Sequence, residues 1–202
     1  MDVKKGTTTI GIITKDAVVI GAEQKSTMGY MVDSKVAQKI YQLDDHIAIT
    51  IAGSVGDALS IVRILKAQLK LYKIERSPIT LKGAATLLSN ILQGSKYYPY
   101  LNQFILAGYD KQPGLYSFDP LGGFDVKDKF YSTGSGSPFA YGVLESEFKE
   151  NITVEEAITL VVKAIKTAIE RDIGSGGKDI QVAVIDKNGF KELTTQELKK
   201  YM

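Results

Sequence analysis

The sequence contains no cysteine and only one histidine. Without cysteine, disulfides, thiol nucleophiles and thiolate metal sites are all excluded. A single histidine also rules out a zinc site built from several histidines. A Ser-His-Asp triad would have to use His46, which follows Asp44 and Asp45 between two apolar runs, where we expect an exposed loop residue. The sequence therefore offers no thiolate site and no multi-histidine site, and we predict no metal and no other cofactor.

The chain also lacks a strong net charge and any long apolar run. Its 25 lysine and arginine residues nearly balance its 23 aspartate and glutamate residues, which leaves a net charge of +2. This balance gives no reason to expect nucleic acid or an anionic membrane as a partner. No apolar stretch approaches the ~20 residues that span a bilayer, and the first six residues, MDVKKG, lack the apolar segment of a signal peptide. We expect a cytoplasmic protein.

What is present is a chain of 202 residues, 44% of them hydrophobic, which is long enough for one domain with a sizeable core. The first fifty residues have mostly the alternation of a sheet. A hairpin is predicted around Lys15 and Asp16, with its second strand ending at Glu23, and two more strands are predicted at 40–43 and 46–52. Between the hairpin and the strand at 40–43, residues 32–38 are predicted to form a polar loop.

Helical spacing begins after Gly53, where apolar residues recur at steps of three and four. Two successive helices are predicted at 55–72 and 80–93, and a short one ends near Phe148. Thr153 and Glu156 form a capping box that opens a last long helix, whose apolar row ends at Asp172 and whose left-handed cap we expect from the glycines at 174–177. Further strands are predicted at 103–109, 114–118 and 123–131, and a closing hairpin at 179–193.

The order of these elements predicts the fold class. Strands, two helices, strands, two helices and strands follow one another, without the regular β-α alternation of a doubly wound sheet. An α+β sandwich of two antiparallel sheets, with helices on both outer faces, would bury every apolar stripe in this order. We therefore predict a single domain of that architecture.

The junction between Gly6 and Thr7 is the first candidate functional feature. Cleavage of this bond would leave a threonine that carries both a hydroxyl nucleophile and a free α-amine as its base. Threonine runs are also ordinary strand material, so Thr7–Thr9 alone proves little. Two glycine-rich segments, 134–136 and 174–178, do not satisfy the spacing of a dinucleotide or phosphate loop.

Several other polar residues stand at the ends of predicted elements, and each allows a structural interpretation. Glu23 and Lys39 could be a surface ion pair, Ser135 and Ser175 could be ordinary loop residues, and Asp172 could be a charge at a helix end. Taken one at a time, these residues do not require a catalytic role.

Taken together, they resemble a known family along nearly the whole chain. The similarity runs from Thr7 to about Val184. It is carried by six segments: Gly6–Gly11, Lys39–Gln42, Thr50–Gly53 with Val55–Ala58, Ser132–Phe139, Tyr141–Glu145, and Arg171–Asp172 with Ser175–Gly177. These segments resemble the β-subunit of the 20S proteasome, specifically the archaeal kind with a short propeptide.

The resemblance implies an N-terminal nucleophile hydrolase with a four-layer αββα fold, a propeptide at 1–6 and one domain at 7–202. Thr7 would be the nucleophile and Lys39 the ammonium that assists proton transfer, with Glu23 holding Lys39 in place. Asp172, Ser135 and Ser175 would orient the Thr7 amine and a nearby water. The backbone N–H of Gly53 would stabilise the oxyanion.

The resemblance also implies a specificity pocket made of small or apolar residues without an obvious charge. Its positions are Ser26, Thr27, Ala37, Ile51 and Val55. We therefore predict cleavage after hydrophobic residues.

The implied partners are other β-subunits in heptameric rings, rings of a related α-subunit, a regulatory ATPase that acts through the α ring, and unfolded protein substrates. Exposed apolar patches are expected on the helix faces that contact neighbours. Two alternatives remain open: a structural ring subunit that is not processed and has little activity of its own, and the simpler bacterial relative of the proteasome.

Overall fold

The computed structural model describes residues 6–202, so of the predicted propeptide only Gly6 lies within the described residues. The strands are β1 Thr9–Ile13, β2 Ala17–Glu23, β3 Ser26–Met28, β4 Met31–Ser34, β5 Ile40–Asp44, β6 Ile47–Gly53, β7 Asn102–Tyr109, β8 Pro113–Phe118, β9 Phe124–Lys127, β10 Phe130–Thr133, β11 Ile180–Asp186 and β12 Gly189–Glu192. The α-helices are α1 Val55–Glu75, α2 Leu81–Gly94, α3 Ser137–Glu147, α4 Val154–Arg171 and α5 Thr195–Leu198, and a 3₁₀ turn covers Lys199–Tyr201.

The strands form two five-stranded antiparallel sheets and one small hairpin. The first sheet has the order β10-β1-β2-β11-β12, the second has the order β5-β6-β7-β8-β9, and β3 pairs only with β4 among the described residues. Side chains alternate along each strand, so one sheet can face two cores. On β2, Val18 and Ile20 pack between the sheets against Ile105, whereas Val19 faces α4.

Helices cover both outer faces of this sandwich. On one side α1 and α2 pack against the second sheet, with Ile61, Leu65 and Leu88 fully buried. On the other side α3 and α4 pack against the first sheet, with Val161 and Ile165 fully buried. The predicted four-layer αββα architecture is confirmed. Within residues 6–202, no helix has the length and apolar content needed to cross a bilayer.

The start of α4 forms as the sequence predicts. Thr153 Oγ1 accepts a hydrogen bond from the N–H of Glu156 at 3.2 Å, and Glu156 Oε2 accepts one from the N–H of Thr153 at 2.9 Å. The end differs, because Asp172 caps the helix in an extended conformation, with φ −95° and ψ 114°. The prediction of a left-handed glycine cap is therefore wrong, and the positive φ values lie further on, at Gly176 and Gly177.

Three other predictions are wrong in detail. The single strand expected at 123–131 is two strands in different sheets, since β9 pairs with β8 and β10 pairs with β1. The polar loop expected at 32–38 begins with a strand, β4. The apolar spacing that predicts the first helix begins at Val55, but Val55 is half exposed, and Ile61, which lies outside that spacing, is fully buried. The short helix α5 was not predicted.

Candidate active site

Thr7 lies just before β1, and its hydroxyl contacts the amine of Lys39. The Nζ atom of Lys39 donates to Thr7 Oγ1 at 2.8 Å, and both residues are 5% exposed. Lys39 stands immediately before β5, where its backbone N–H donates to Oε1 of Gln181 at 2.7 Å. This hydrogen bond ties the start of β5 to β11 and so fixes the backbone position from which the Lys39 side chain reaches Thr7.

Glu23, the last residue of β2, is fully buried and pairs with Lys39. Its carboxylate also accepts backbone hydrogen bonds from Lys25 at 2.7 Å, Gly176 at 2.9 Å and Thr8 at 3.4 Å. A buried charge is tolerated only when it is paired and its hydrogen-bonding capacity is used. The contacts of Glu23 meet both requirements, so the pair is not the surface ion pair that the sequence left open.

Burial shifts both members of this pair toward their neutral forms. Removal from water lowers the pKa of Lys39 below its ordinary value, and the charge of Glu23 opposes that shift. Burial raises the pKa of Glu23, while Lys39 and the backbone N–H groups of Lys25 and Gly176 act in the opposite direction. Lys39 therefore releases a proton more readily than a surface lysine does. Its Nζ lies beside the Thr7 hydroxyl, which must lose a proton to act as a nucleophile.

A second group of side chains surrounds the Thr7 nitrogen. The N–H of Thr7 donates to Ser135 Oγ at 3.1 Å, and Asp172 Oδ2 accepts from both Ser135 and Ser175 at 2.6 Å. Because each serine has one proton and gives it to the carboxylate, the 2.7 Å contact between Thr8 and Ser175 needs the Thr8 hydroxyl as its donor. The Thr8 hydroxyl proton therefore points to Ser175, and both serine protons point to Asp172. Ser135 presents its oxygen to the Thr7 nitrogen.

The bond that precedes Thr7 is held tightly. The Thr7 hydroxyl lies 2.5 Å from the carbonyl oxygen of Gly6. A Cβ atom on Gly6 would fall 1.9 Å from the Cα of Gly174, so a larger residue would displace the backbone on one side. Glycine thus fits this junction sterically, and the hydroxyl is next to the carbonyl group that it would attack.

Thr7 opens into a cleft of about 390 Å³. Gly6, Lys39 and Gly53 also line it, so Gly53 is on the same cleft as the Thr7 hydroxyl. All five predicted pocket residues take part in its walls: Ser26, Thr27, Ala37, Ile51 and Val55. The predicted catalytic residues Glu23, Ser135, Asp172 and Ser175 do not line the cleft but connect to it through Thr7 and Lys39.

The structure adds residues that sequence reasoning missed. Thr8 and Gln181 support Ser175 and Lys39 through contacts between distant segments, which no local pattern reveals. Lys25 and Asp33 line the cleft, so its predicted lack of charge holds for the five named positions and not for the whole cleft. Nζ of Lys25 donates to the Ile173 carbonyl at 2.6 Å. For Lys25, the only signal in the sequence is its position two residues after Glu23.

Comparisons with known proteins identify the family of this chain. A sequence model of the family described as "Proteasome subunit" matches residues 3–185. The chain is 49% identical over 205 residues to "Proteasome subunit beta" of Methanocaldococcus vulcanius, which covers 100% of this chain and 92% of that protein. It is 47% identical to "Proteasome subunit beta" of Methanosarcina mazei, over 96% of this chain and 93% of that protein. It is also 47% identical to "Proteasome subunit beta 1" of Thermococcus sibiricus, over 100% of this chain and 97% of that protein. The chain therefore belongs to the proteasome subunit family.

Proposed function

We propose that this chain is a proteasome β-subunit that acts as a threonine endopeptidase after it removes its own first six residues. In this proposal residues 1–6 are the propeptide, residues 7–202 are the mature domain, and Thr7 is the nucleophile. The observation that carries the proposal is the contact between Thr7 Oγ1 and Nζ of Lys39, at 2.8 Å, beside the buried carboxylate of Glu23. A hydroxyl needs such a partner to act as a nucleophile near neutral pH.

The position of the Thr7 hydroxyl beside the Gly6 carbonyl supports self-cleavage. The hydroxyl oxygen bonds to the carbonyl carbon of Gly6, and the bond between that carbon and the Thr7 nitrogen breaks. The hydroxyl proton passes to the nitrogen, so the propeptide, hereafter the leader, is held as an ester on Thr7. Water then hydrolyses the ester, releasing the leader with a free carboxyl group and leaving a free amine and hydroxyl on Thr7.

The freed amine supplies the base for the cleavage of other chains. An α-amine has a pKa of about 7.7–8.0, so it can accept the hydroxyl proton near neutral pH. Ser135 is in hydrogen-bonding reach of this nitrogen, and Asp172 and Ser175 orient Ser135. The Lys39 ammonium lowers the proton affinity of the hydroxyl oxygen. The backbone N–H of Gly53 stabilises the oxyanion, a contribution of about 3–4 kcal/mol to the barrier.

The cleft suggests the residues after which peptides are cut. Ala37, Ile51 and Val55 offer apolar surface beside Thr7, so a hydrophobic side chain that enters the cleft is removed from water at a gain of roughly 25 cal/mol per Å². We propose cleavage after hydrophobic residues, with unfolded proteins as substrates.

The family membership implies a multisubunit assembly. We propose that this assembly consists of heptameric β rings stacked against rings of a related α-subunit, with a regulatory ATPase acting through the α ring, in the cytoplasm. Subunits that are closed into rings enclose the cleft in a chamber, where access selects the substrates.

The intact mass of the chain, alone and after co-assembly with its α-subunit, tests the proposal. We expect the assembled sample to lose residues 1–6 and to hydrolyse peptides. Thr7→Ala should keep its full mass and show no hydrolysis, because the variant has no hydroxyl. Thr86→Ala, on the exposed side of α2, is the matched control and should be processed normally. Full-length wild-type chain in assembled, inactive particles would favour a structural subunit instead.

A further inference from the structure

Asp33 places a carboxylate in the cleft, on the hairpin formed by β3 and β4. Its Oδ2 accepts a hydrogen bond from the hydroxyl of Ser26, at 2.7 Å, and its side chain is exposed. Ser26 is one of the pocket residues, so this contact ties the acid to the wall of the cleft that also contains Thr7. Within residues 6–202, Asp33 forms no salt bridge with a lysine or arginine.

The two lysines that line the cleft are engaged elsewhere. Lys39 is paired with the buried Glu23. Lys25 directs its ammonium to the Ile173 carbonyl, and its side-chain carbons run along Gly176. Asp33 is thus the exposed negative charge that a bound chain meets in the cleft. A basic side chain beside it would give Asp33 a pairing partner that the described residues do not supply.

An extended peptide brings alternate side chains to the same wall. In a strand, side chains two residues apart project from the same face and are separated by roughly 6.5–7 Å. When the residue that supplies the attacked carbonyl rests on Ala37, Ile51 and Val55, the residue two positions before it faces the same side of the cleft. The side chain between them points away.

We propose that Asp33 makes the cleft select a basic side chain two positions before the residue whose carbonyl Thr7 attacks. This inference rests on the proposed protease function and deepens it, since it adds a basic requirement upstream of the hydrophobic one. The sequence of the chain agrees: if Gly6 precedes the cut bond in self-cleavage, the residue two positions before it is Lys4. The leader therefore carries a lysine at the position that Asp33 is proposed to recognise.

Kinetics on the assembled particle test the assignment. The substrates are fluorogenic peptides with leucine before the cut bond and arginine, norleucine or glutamate at the position two residues earlier. A second set varies the intermediate position in the same way. We expect the kcat/KM of the wild type to be about two- to fivefold higher for arginine than for norleucine at the earlier position, the range expected of an exposed ion pair. High salt should reduce this ratio.

Two variants separate charge from shape. Asp33→Asn retains an oxygen that can accept from Ser26 but removes the charge, and it should bring the arginine-to-norleucine ratio to about one. Asp16→Asn removes the same charge from an exposed turn outside the cleft and should leave the ratio unchanged. A preference that persists in Asp33→Asn, or one found at the intermediate position, overturns the assignment. Cleavage of all peptides at equal rates overturns only this inference, whereas no cleavage of any peptide overturns the protease function with it.

Discussion

Glu23 and Lys39 depend on each other for their charges, because each is too deeply buried to remain charged alone. Glu23 is fully buried, and Lys39 is 5% exposed. Breaking such a pair by removing one partner typically costs 3–5 kcal/mol, unless the remaining group becomes neutral. In this site the remaining group would be an amine whose pKa burial already lowers.

Glu23→Gln is therefore expected to move the pH dependence of the peptidase. Without the carboxylate, nothing opposes the effect of burial to the same extent, so the pKa of Lys39 falls further. A lower pKa means that the ammonium is lost at a lower pH. If the ammonium assists catalysis, the alkaline limb of the kcat/KM profile shifts to lower pH, and a pH titration of the assembled variant measures the shift.

Glu23→Asp is the control for that experiment, because it keeps the charge and should leave the limb closer to the wild-type position. An alkaline limb at the same pH in Glu23→Gln would contradict the role of Lys39 as the catalytic ammonium. A loss of folding in Glu23→Gln alone would be visible as a lower melting temperature.

At the scale of the elements, the turn between β10 and α3 positions Ser135. Gly134 in this turn has φ +91°, and a Cβ atom there would lie 2.0 Å from the carbonyl oxygen of Thr7. The N–H of Gly136 donates to the same oxygen at 3.2 Å. This close backbone contact fixes the distance between Ser135 and the Thr7 nitrogen.

Gly134→Ala should therefore impair stability and processing together. A non-glycine residue in that conformation costs about 1–3 kcal/mol, and the Cβ contact must move either the turn or Thr7. We expect a lower melting temperature and the retention of residues 1–6, measured by calorimetry and intact mass.

Gly142→Ala is the matched substitution within α3, where a Cβ atom meets no other atom within 4 Å. An exposed helical glycine costs about 0.5–1 kcal/mol relative to alanine, so this variant should melt slightly higher and process normally. Equal behaviour of the two variants would show that the close contact at Gly134 has no functional consequence.

Most elements could be predicted from periodicity, because each apolar stripe belongs to a single strand or helix. The apolar row that ends at Asp172 predicts the inner face of α4, and Ile158, Val161 and Ile165 on that row are buried. Sheet membership could not be predicted in this way: residues 123–131 alternate like one strand, yet β9 and β10 join different sheets. The pattern of a strand specifies its two faces and not its neighbours.

The candidate site was predictable only through the family resemblance. Thr7, Lys39 and Ser135 are separated by up to 128 residues, and their individual sequence contexts look structural. Asp33 was not predicted, because its neighbours in β4 are ordinary exposed residues and its contact with Ser26 depends on the register of a small hairpin. Contacts of this kind follow from the fold and not from local sequence.

For the whole molecule, the exposed apolar residues are the candidates for surfaces that other subunits cover. They were expected on helix faces, but many of them lie on the β3–β4 hairpin and in the loop before β7. These two groups are Met28, Tyr30, Met31 and Val32, and Tyr97, Tyr98 and Leu101. The expectation is thus incomplete, since the helices carry only part of the exposed apolar surface.

Part of the exposed apolar surface does lie on a helix, α1. Ile64, Leu71 and Ile74 are exposed and follow one another at steps of seven and three residues, so they share one side of the helix. Lys70 and Lys73 are exposed on the adjacent side. An apolar strip beside charged residues is typical of a surface that a partner subunit covers in part.

Replacing Leu71 and Ile74 with glutamine should therefore weaken assembly without unfolding the chain. Glutamine is a good helix former, and both side chains are exposed, so the melting temperature of the isolated chain should change little. Loss of two buried apolar side chains from an interface should lower the affinity for the partner subunits by about tenfold or more. Sedimentation of the variant mixed with its α-subunit measures the loss. Gln68→Ala, an exposed change on the same helix, should assemble normally, and normal assembly of the double variant would show that this side of α1 faces solvent in the particle.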